Sequence, residues 1–524
     1  MRVRPALRAL LFAFALTNAV LYACILPLWE GFDEPFHYGY VQWISVEHRF
    51  PIMNRTRISS EIRKSFDFIP LSRFLSAAIP GSVSFEQWPE LSDAEKQRRK
   101  AELNQIRPEF RGKESEVLNY EAQQAPLAYL ALAPFDLLLR SIQIRWRILW
   151  LRLLAGIAAT LAIFFALEKL SELLGARPAF AYAALACVFE VQMLWASVAH
   201  VGNDSLAVPL TVWFLTWLLV AAQKPTTRNV LILAGILAVG LLTKAYFLAF
   251  APVTAILILQ LFIQRKTSGG LALAAAALVL LVAGPWYARN LFLYRSLSGT
   301  QQSVAGIGPM QAVMAVPRIN WPASILRFAH WSLWTGNWSF VSFSKATLDL
   351  ELILLLTAAF LYVAGWRVLR PPQAWMVLAY ACFATSLVYQ TAVTWVDTKG
   401  LANNPEPWYA QGLIGCGFIP CFVGLQRSGL SGRIIASALT ALFAWVAAMT
   451  YCAKLLPYYG SALNRSNVAA LWSWWRAIPV KQLASVLLVP PTAVFVLLSI
   501  FTVLLVITTG AAIRGIWRSS SAEC

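Results

Sequence analysis

Apolar residues gather along this chain in runs of about twenty, the length an α-helix needs to cross the hydrocarbon of a bilayer. Twelve stretches qualify, at roughly 8–28, 147–168, 177–198, 204–222, 228–243, 245–264, 269–288, 346–366, 373–394, 410–425, 431–453 and 487–511. A thirteenth run, 122–139, is apolar but short, and it carries Pro126, Pro134 and Asp136. Whether it crosses decides the side of every later loop. Lys and Arg arbitrate, because short loops rich in them stay in the cytoplasm. If 122–139 does not cross, the short inner loops hold Lys169, Arg177, Lys224, Arg228, Arg265, Lys266, Arg367, Arg370, Arg427 and Arg433, and the short outer loops hold only Lys244 and Lys399. The pattern thus predicts an all-α integral membrane protein, one multipass domain over 1–524 with about twelve spans and both termini cytoplasmic. Residues 122–139 are expected to lie along the outer face or re-enter it.

Composition agrees. The chain is 59% hydrophobic and 13% charged, with a mean hydropathy of +0.60, whereas soluble domains carry about 25% charged residues. A disordered chain, a secreted disulfide module and a nucleic-acid binder are excluded. The net charge of +18 is read as topology and attraction to the lipid bilayer. Of the seven cysteines, Cys24, Cys187, Cys382, Cys416, Cys421 and Cys452 fall in apolar runs without a CxxC pair, so no metal knuckle or disulfide framework is indicated. Arg2, Arg4 and Arg8 precede the first run, which lacks a small-residue cleavage site and reads as an uncleaved anchor.

The polar material collects on the outer side, in segments of about 29–146, 289–345, 395–409 and 454–486. The first holds sixteen of the 25 acidic residues. Its stretch 86–121 is charged and helix-forming, and is expected to be a solvated helical lid.

Candidate chemistry lies at that outer rim. After the first span comes WEGFDEPFHYGYVQWI. Pro35 suits a first helical position, which puts Glu34 at the N-cap, Asp33 before it and His37 one turn on, at the start of an amphipathic interfacial helix. One cap needs one acid, and here there are two. Asp204, in HVGNDSLAV, opens the fourth span on the same side; an N-cap or a site carboxylate both fit. Lys244, beside Tyr246, and Arg289, in GPWYARN, are outer-face cations, either snorkelling or clamping a phosphate. Trp321, Trp331, Trp334 and Trp338 are expected in an interfacial belt. His200 and His330 are too far apart in sequence to indicate a metal, and Glu190 is an intramembrane carboxylate without an evident partner.

These residues resemble the C-type (GT-C) membrane glycosyltransferases. The order is similar to a bacterial multipass group marked by D-E-P-x-H, N-D-x-L, L-x-K-x-x-x-L and W-x-x-R-N, related to the protein O-mannosyltransferases and the lipid A aminoarabinose transferase. Asp33, Glu34, Pro35 and His37 match the first motif; Asn203, Asp204 and Leu206 match the second. Lys244 matches the third, and Trp286, Arg289 and Asn290 the fourth. An apolar segment Gln124-Ala125-Pro126-Leu127-Ala128-Tyr129 stands where relatives often have His-Pro-Pro-Leu, and Leu413 stands where many carry an Arg.

The resemblance implies an inverting transfer of a sugar from a polyprenyl-phosphate donor to the hydroxyl of a lipid, polysaccharide or protein acceptor, on the outer face of a bacterial inner membrane. In that reading Asp33 is the general base, Glu34 and Asp204 orient it or the acceptor, and Lys244 and Arg289 hold the phosphate. His37, Tyr246, Gln124 and Tyr129 belong to the substrate site. No metal is assigned; His37 with Asp33 and Asp204 is the set that a divalent cation would use. A transporter of lipid-linked saccharides is the rival from another class, disfavoured by the absence of related halves with polar groups at mid-membrane. A non-catalytic assembly protein on the same fold is the third reading.

Overall fold

The computed structural model describes residues 4–365, 371–461 and 468–518. Arg2, Arg367, Arg370 and Cys524 lie outside the described residues. Among the described residues, ten helices are long and apolar enough to cross a membrane: Pro5–Ile25, Ile144–Leu173, Asp204–Gln223, Ala245–Ile263, Gly269–Tyr294, Lys345–Ala364, Gln373–Asp397, Pro407–Leu425, Gly429–Tyr459 and Pro491–Arg518. An eleventh arises if Pro178–Glu190 and Gln192–Val198, bent by 60°, count as one broken span. Thr227–Leu241, expected as a span, has 15 residues, fewer than a lone crossing needs. The first and last spans pack side by side, as do Ile144–Leu173 with Asp204–Gln223 and Thr227–Leu241 with Gly269–Tyr294.

The break in the third span frees backbone groups inside the bundle, where each needs a partner. The Phe189 carbonyl accepts from Asn18 Nδ2 at 2.9 Å and from Trp195 Nε1 at 3.0 Å. Glu190, at the break, has Thr509 as its hydrogen-bonding neighbour at 3.3 Å.

Loops assigned to the inner side meet at one end of the molecule. Arg8 donates to both oxygens of Glu168 at 2.7 and 2.9 Å, and the Gln426 side chain joins Arg177 N at 2.7 Å to Gly175 O at 3.0 Å. Asp33, Asp204 and Lys244 gather at the opposite end. The short helix Leu127–Leu138, 12 residues long, does not reach across, as expected.

Two expectations for the outer segment are corrected. The helix Glu34–Glu47 is not a half-wetted interfacial helix but is buried on nearly every side, because Leu127–Leu138 covers one face and strand Arg57–Ser59 another. The outer segment is also not wholly helical. Arg57–Ser59 pairs antiparallel with Glu114–Leu118, and Pro70–Leu71 pairs parallel with Val83–Ser84. Part of the expected lid is helix: Asp93–Asn104 is capped by Ser92 and laced by Arg98–Glu102 and Arg99–Glu95 pairs at 2.6 and 2.7 Å.

Beneath these pieces runs a buried polar network. Asp136 accepts from Tyr38 at 2.9 Å, Ser45 at 2.5 Å and Arg111 Nη2 at 2.6 Å. Arg147, from the second span, holds Glu61 through two hydrogen bonds of 3.0 Å. The acid that helped to mark 122–139 as non-crossing is therefore the tie that fastens it. A cysteine at Arg73, in the outer segment, is expected to react with a membrane-impermeant maleimide in intact cells, and one at Lys169 only after lysis; labelling of both from one side would break this arrangement.

Candidate functional site

The chain leaves the first span through residues 26–33 and turns into the helix Glu34–Glu47, whose N-cap is Asp33 rather than Glu34. Asp33 makes no side-chain cap. Glu34 points into the protein. Both its oxygens take Arg152 of the second span, at 2.7 and 2.5 Å, and one also accepts from Val201 N at 3.1 Å. Burial pushes the Glu34 carboxyl up, but the Arg152 charge and hydrogen bonds outweigh it and hold the group below its ordinary value. Glu34 is thus an anchor, with no oxygen left free to orient an acceptor.

Asp33 takes the opposite environment. Its backbone is left-handed, φ 53°, which turns the side chain away from Glu34 and toward Tyr120, whose hydroxyl donates to it. Burial raises its pKa to about 6, against the Tyr120 hydrogen bond and the charge of Lys244; Asp204 adds to the rise. Glu121, the next residue after Tyr120, is raised to about 8 by burial and by Asp33. His37 lies one turn into the helix, with Nδ1 2.8 Å from the Tyr129 hydroxyl and 3.5 Å from Glu121 Oε2. Burial pushes its imidazole well down, so it is neutral.

Lys244 closes the cluster. Its Nζ meets Asp204 Oδ1 at 2.6 Å, both groups nearly buried, and stands 4.9 Å from the Tyr409 ring centre and 5.8 Å from that of Tyr246. Asp204 is not the N-cap of its helix: that place belongs to Asn203, and no side chain caps it. Glu406 approaches from the third outer segment, raised to about 7 by burial and then by Asp33. His200 packs between Glu34 and Asp204, its imidazole pushed down by burial, and two glycines make room for it. A Cβ at Gly202 would stand 2.6 Å from His200 Nε2, and one at Gly31 2.8 Å from His200 Cβ.

The structure therefore brings together Asp33, Asp204, Lys244, His37, Tyr129 and Tyr246 of the residues singled out from sequence. Gln124 fastens the rim, accepting from Asn203 Nδ2 at 3.1 Å through its side chain and from Tyr40 at 3.1 Å through its backbone. Arg289 stands apart. Its Nη2 donates to Pro51 O at 2.8 Å, its guanidinium lies 4.8 Å from the Trp286 ring centre, and its buried Nη1 has no partner. The Tyr40–Tyr129 stack, with centroids 4.0 Å apart, bridges the Arg289 side to His37. Tyr120, Glu121, Glu406, Tyr409 and Arg152 were missed. Tyr120 and Glu121 directly precede the Gln124 segment, and Tyr409 and Glu406 flank the Leu413 stretch, so closer attention to those matches would have found them.

Among the described residues, Asp33, His37 and Glu121 form the group whose ligand atoms lie within 4.8 Å of one another and suit a metal ion. The third member is Glu121, not Asp204, which Lys244 occupies.

No family model and no curated protein sequence matches this chain. Two solved structures are similar over most of its length. The crystal structure of ArnT from Cupriavidus metallidurans bound to undecaprenyl phosphate is 13% identical, covering 97% of this chain and 76% of that one at a TM-score of 0.44. The apo structure of the same protein is 14% identical, covering 91% and 74% at a TM-score of 0.39. Neither likeness is close enough to carry an argument about activity.

Removing Glu34 should strand a buried guanidinium, which costs about 3–5 kcal/mol. Glu34→Ala is therefore expected to lower the thermal unfolding temperature in detergent strongly, while Asp33→Asn leaves it nearly unchanged.

Proposed function

We propose that this protein is a glycosyltransferase that moves a sugar from a polyprenyl-phosphate donor to an acceptor hydroxyl at the outer membrane face, inverting the anomeric centre. The observation that carries the reading is the convergence, at one rim, of a carboxylate of raised pKa held by the Tyr120 hydroxyl (Asp33) and a lysine held by a neighbouring acid (Lys244 with Asp204). The motif order shared with GT-C enzymes supports it.

A general base works best when its pKa lies near the working pH, and about 6 leaves Asp33 ionised yet basic enough to take a hydroxyl proton. As that proton passes to Asp33, the acceptor oxygen forms its bond to the anomeric carbon from the face opposite the phosphate. The bond from that carbon to the phosphate oxygen breaks, and the polyprenyl phosphate leaves with the electron pair. An ammonium has three donors, and Asp204 uses one of those on Lys244, so two remain for the leaving phosphate. Arg289 offers its unpartnered Nη1 to the same anion from the rim. Tyr246 and Tyr409 wall the lysine, and Tyr129 fixes His37 beside the acceptor. Asp33, His37 and Glu121 fit a divalent cation, since Glu121 Oε2 is buried without a hydrogen bond; such an ion would supply positive charge beside the reacting groups.

Two substitutions test this in purified protein supplied with polyprenyl-phosphate sugar. Asp33→Asn is expected to lower kcat by about 10²–10⁴, the usual contribution of a positioned base, with thermal stability kept; near-normal turnover refutes the assignment. Arg289→Ala removes a charge-assisted contact of about 1.5–3 kcal/mol and should raise the donor KM at least about tenfold while kcat at saturating donor changes less. An unchanged donor KM takes Arg289 out of the site.

A further inference from the structure

We propose that a row of aromatic rings beside Asp33 cradles a saccharide chain, and that this chain is the acceptor of the transfer. The inference rests on the reaction proposed above and names the class of its acceptor. Phe32, the residue before Asp33, is buried and forms the base of the row. Its ring centre lies 4.6 Å from that of Trp408 and 6.0 Å from that of Phe340, and Trp331 continues the row 5.8 Å beyond Phe340. Trp408 and Trp331 are partly exposed and Phe340 is 38% exposed. Trp334 and Trp338, from the same outer segment, are buried in the core instead. Phe340 is held out against its own backbone preference. Its φ is 52°, a left-handed conformation that bulky side chains rarely take and that recurs at ligand clamps. Asn337 maintains it: the Asn337 carbonyl accepts from Phe340 N at 3.0 Å, its Oδ1 accepts from Val341 N at 3.1 Å, and its Nδ2 donates to the Tyr459 hydroxyl at 2.9 Å.

The edges of the row are polar. Arg327 Nη1 stands 3.5 Å from Asn404 Oδ1, and its guanidinium lies 5.9 Å from the Trp331 ring centre. The Glu406 carboxyl and the indole N–H groups of Trp331 and Trp408 hydrogen-bond to nothing among the described residues. A pyranose has a face of C–H groups and a girdle of hydroxyls. Flat, partly exposed rings take the face, and free donors and acceptors at their edges take the girdle. A prenyl or acyl chain lying there would desolvate those polar edges without pairing them, which is costly. Order along the row separates acceptor from donor. At one end Trp408 meets Tyr409, with centroids 6.2 Å apart, and Tyr409 covers Lys244, where the donor phosphate is placed. At the other end the row opens through Phe340 to Trp331. Phe32, next to Asp33, lies between. A donor with one sugar needs only the space between Lys244 and Asp33, so the remaining rings suit an acceptor of more than one sugar, whose terminal hydroxyl meets Asp33.

The test reads binding without turnover. The full chain, labelled and in detergent with no donor present, is applied to an immobilised array of bacterial oligosaccharides, a threonine-rich peptide and phosphatidylglycerol. Oligosaccharide is expected to retain it, and the peptide and the lipid are not. Trp331→Ala should weaken that binding at least about fivefold. Phe340→Gly should do the same, since glycine suits the left-handed backbone and only the ring is lost. Trp331→Phe keeps a ring and should keep most of the binding, which separates loss of the platform from loss of fold. Trp472→Ala removes an exposed tryptophan outside the row and should change nothing. Unchanged binding in Trp331→Ala and Phe340→Gly overturns the site, as does equal loss in Trp472→Ala. Retention by the peptide or the lipid but by no oligosaccharide overturns the acceptor class. A wild type that binds oligosaccharide through this row yet transfers no sugar overturns the reaction and leaves the saccharide site standing.

Discussion

One buried ion pair sets the geometry of the outer face. Glu34 and Arg152 are both fully buried, and taking two charges out of water is compensated only when the remaining donors and acceptors are also used. Here they are: Arg152 adds hydrogen bonds to the carbonyls of Leu26 at 2.5 Å and Pro27 at 2.7 Å, and Glu34 adds Val201 N. The end of the first span, the first third of the second and the approach to the fourth are thereby locked together. The adjacent Asp33, in its left-handed backbone conformation, is turned out of the lock. Two neighbouring carboxylates thus acquire opposite characters, one held ionised by a guanidinium and one left to titrate near neutrality.

The spans and the rim were legible in the sequence because both are written in local signals. Run length reports crossing, loop cations report side, and the acids of DEP and NDS sit beside span ends where few other polar residues compete. The Asp204–Lys244 pair follows from these, since both residues open or close outer span ends. Arg152 was hidden for the converse reason: nothing local marks it within the run 147–168, and only the fold shows that Glu34 reaches it. Glu121 was hidden because its partners, Asp33 and His37, lie more than eighty positions away and meet it through a loop with no periodicity. The strand Glu114–Leu118 escaped because its charged residues read as helix, while its pairing with Arg57–Ser59 is a tertiary choice. The helix Glu34–Glu47 was misjudged as interfacial since its aromatics do suit a membrane surface; nothing local says that Leu127–Leu138 will cover them.

The cluster at the rim carries more acid than base, and that shapes what it can receive. Asp33, Asp204, Glu121 and Glu406 surround a single lysine, and like charges at such distances cannot all ionise. Burial resolves the conflict by keeping protons on Glu121, raised to about 8, and partly on Glu406, at about 7. With those protons in place, fewer like charges crowd Asp33 and the Asp204–Lys244 pair. On the proposed reading, a phosphate beside Lys244 would meet a site whose acidity is reduced by the protons on Glu121 and Glu406. Protonated carboxyls are hydrogen-bond donors, so Glu121 and Glu406 can face an anion or a sugar hydroxyl without repelling it. A paired lysine, acids that keep their protons and an aspartate without a cation of its own are compatible with the proposed transfer between a charged donor and a neutral hydroxyl.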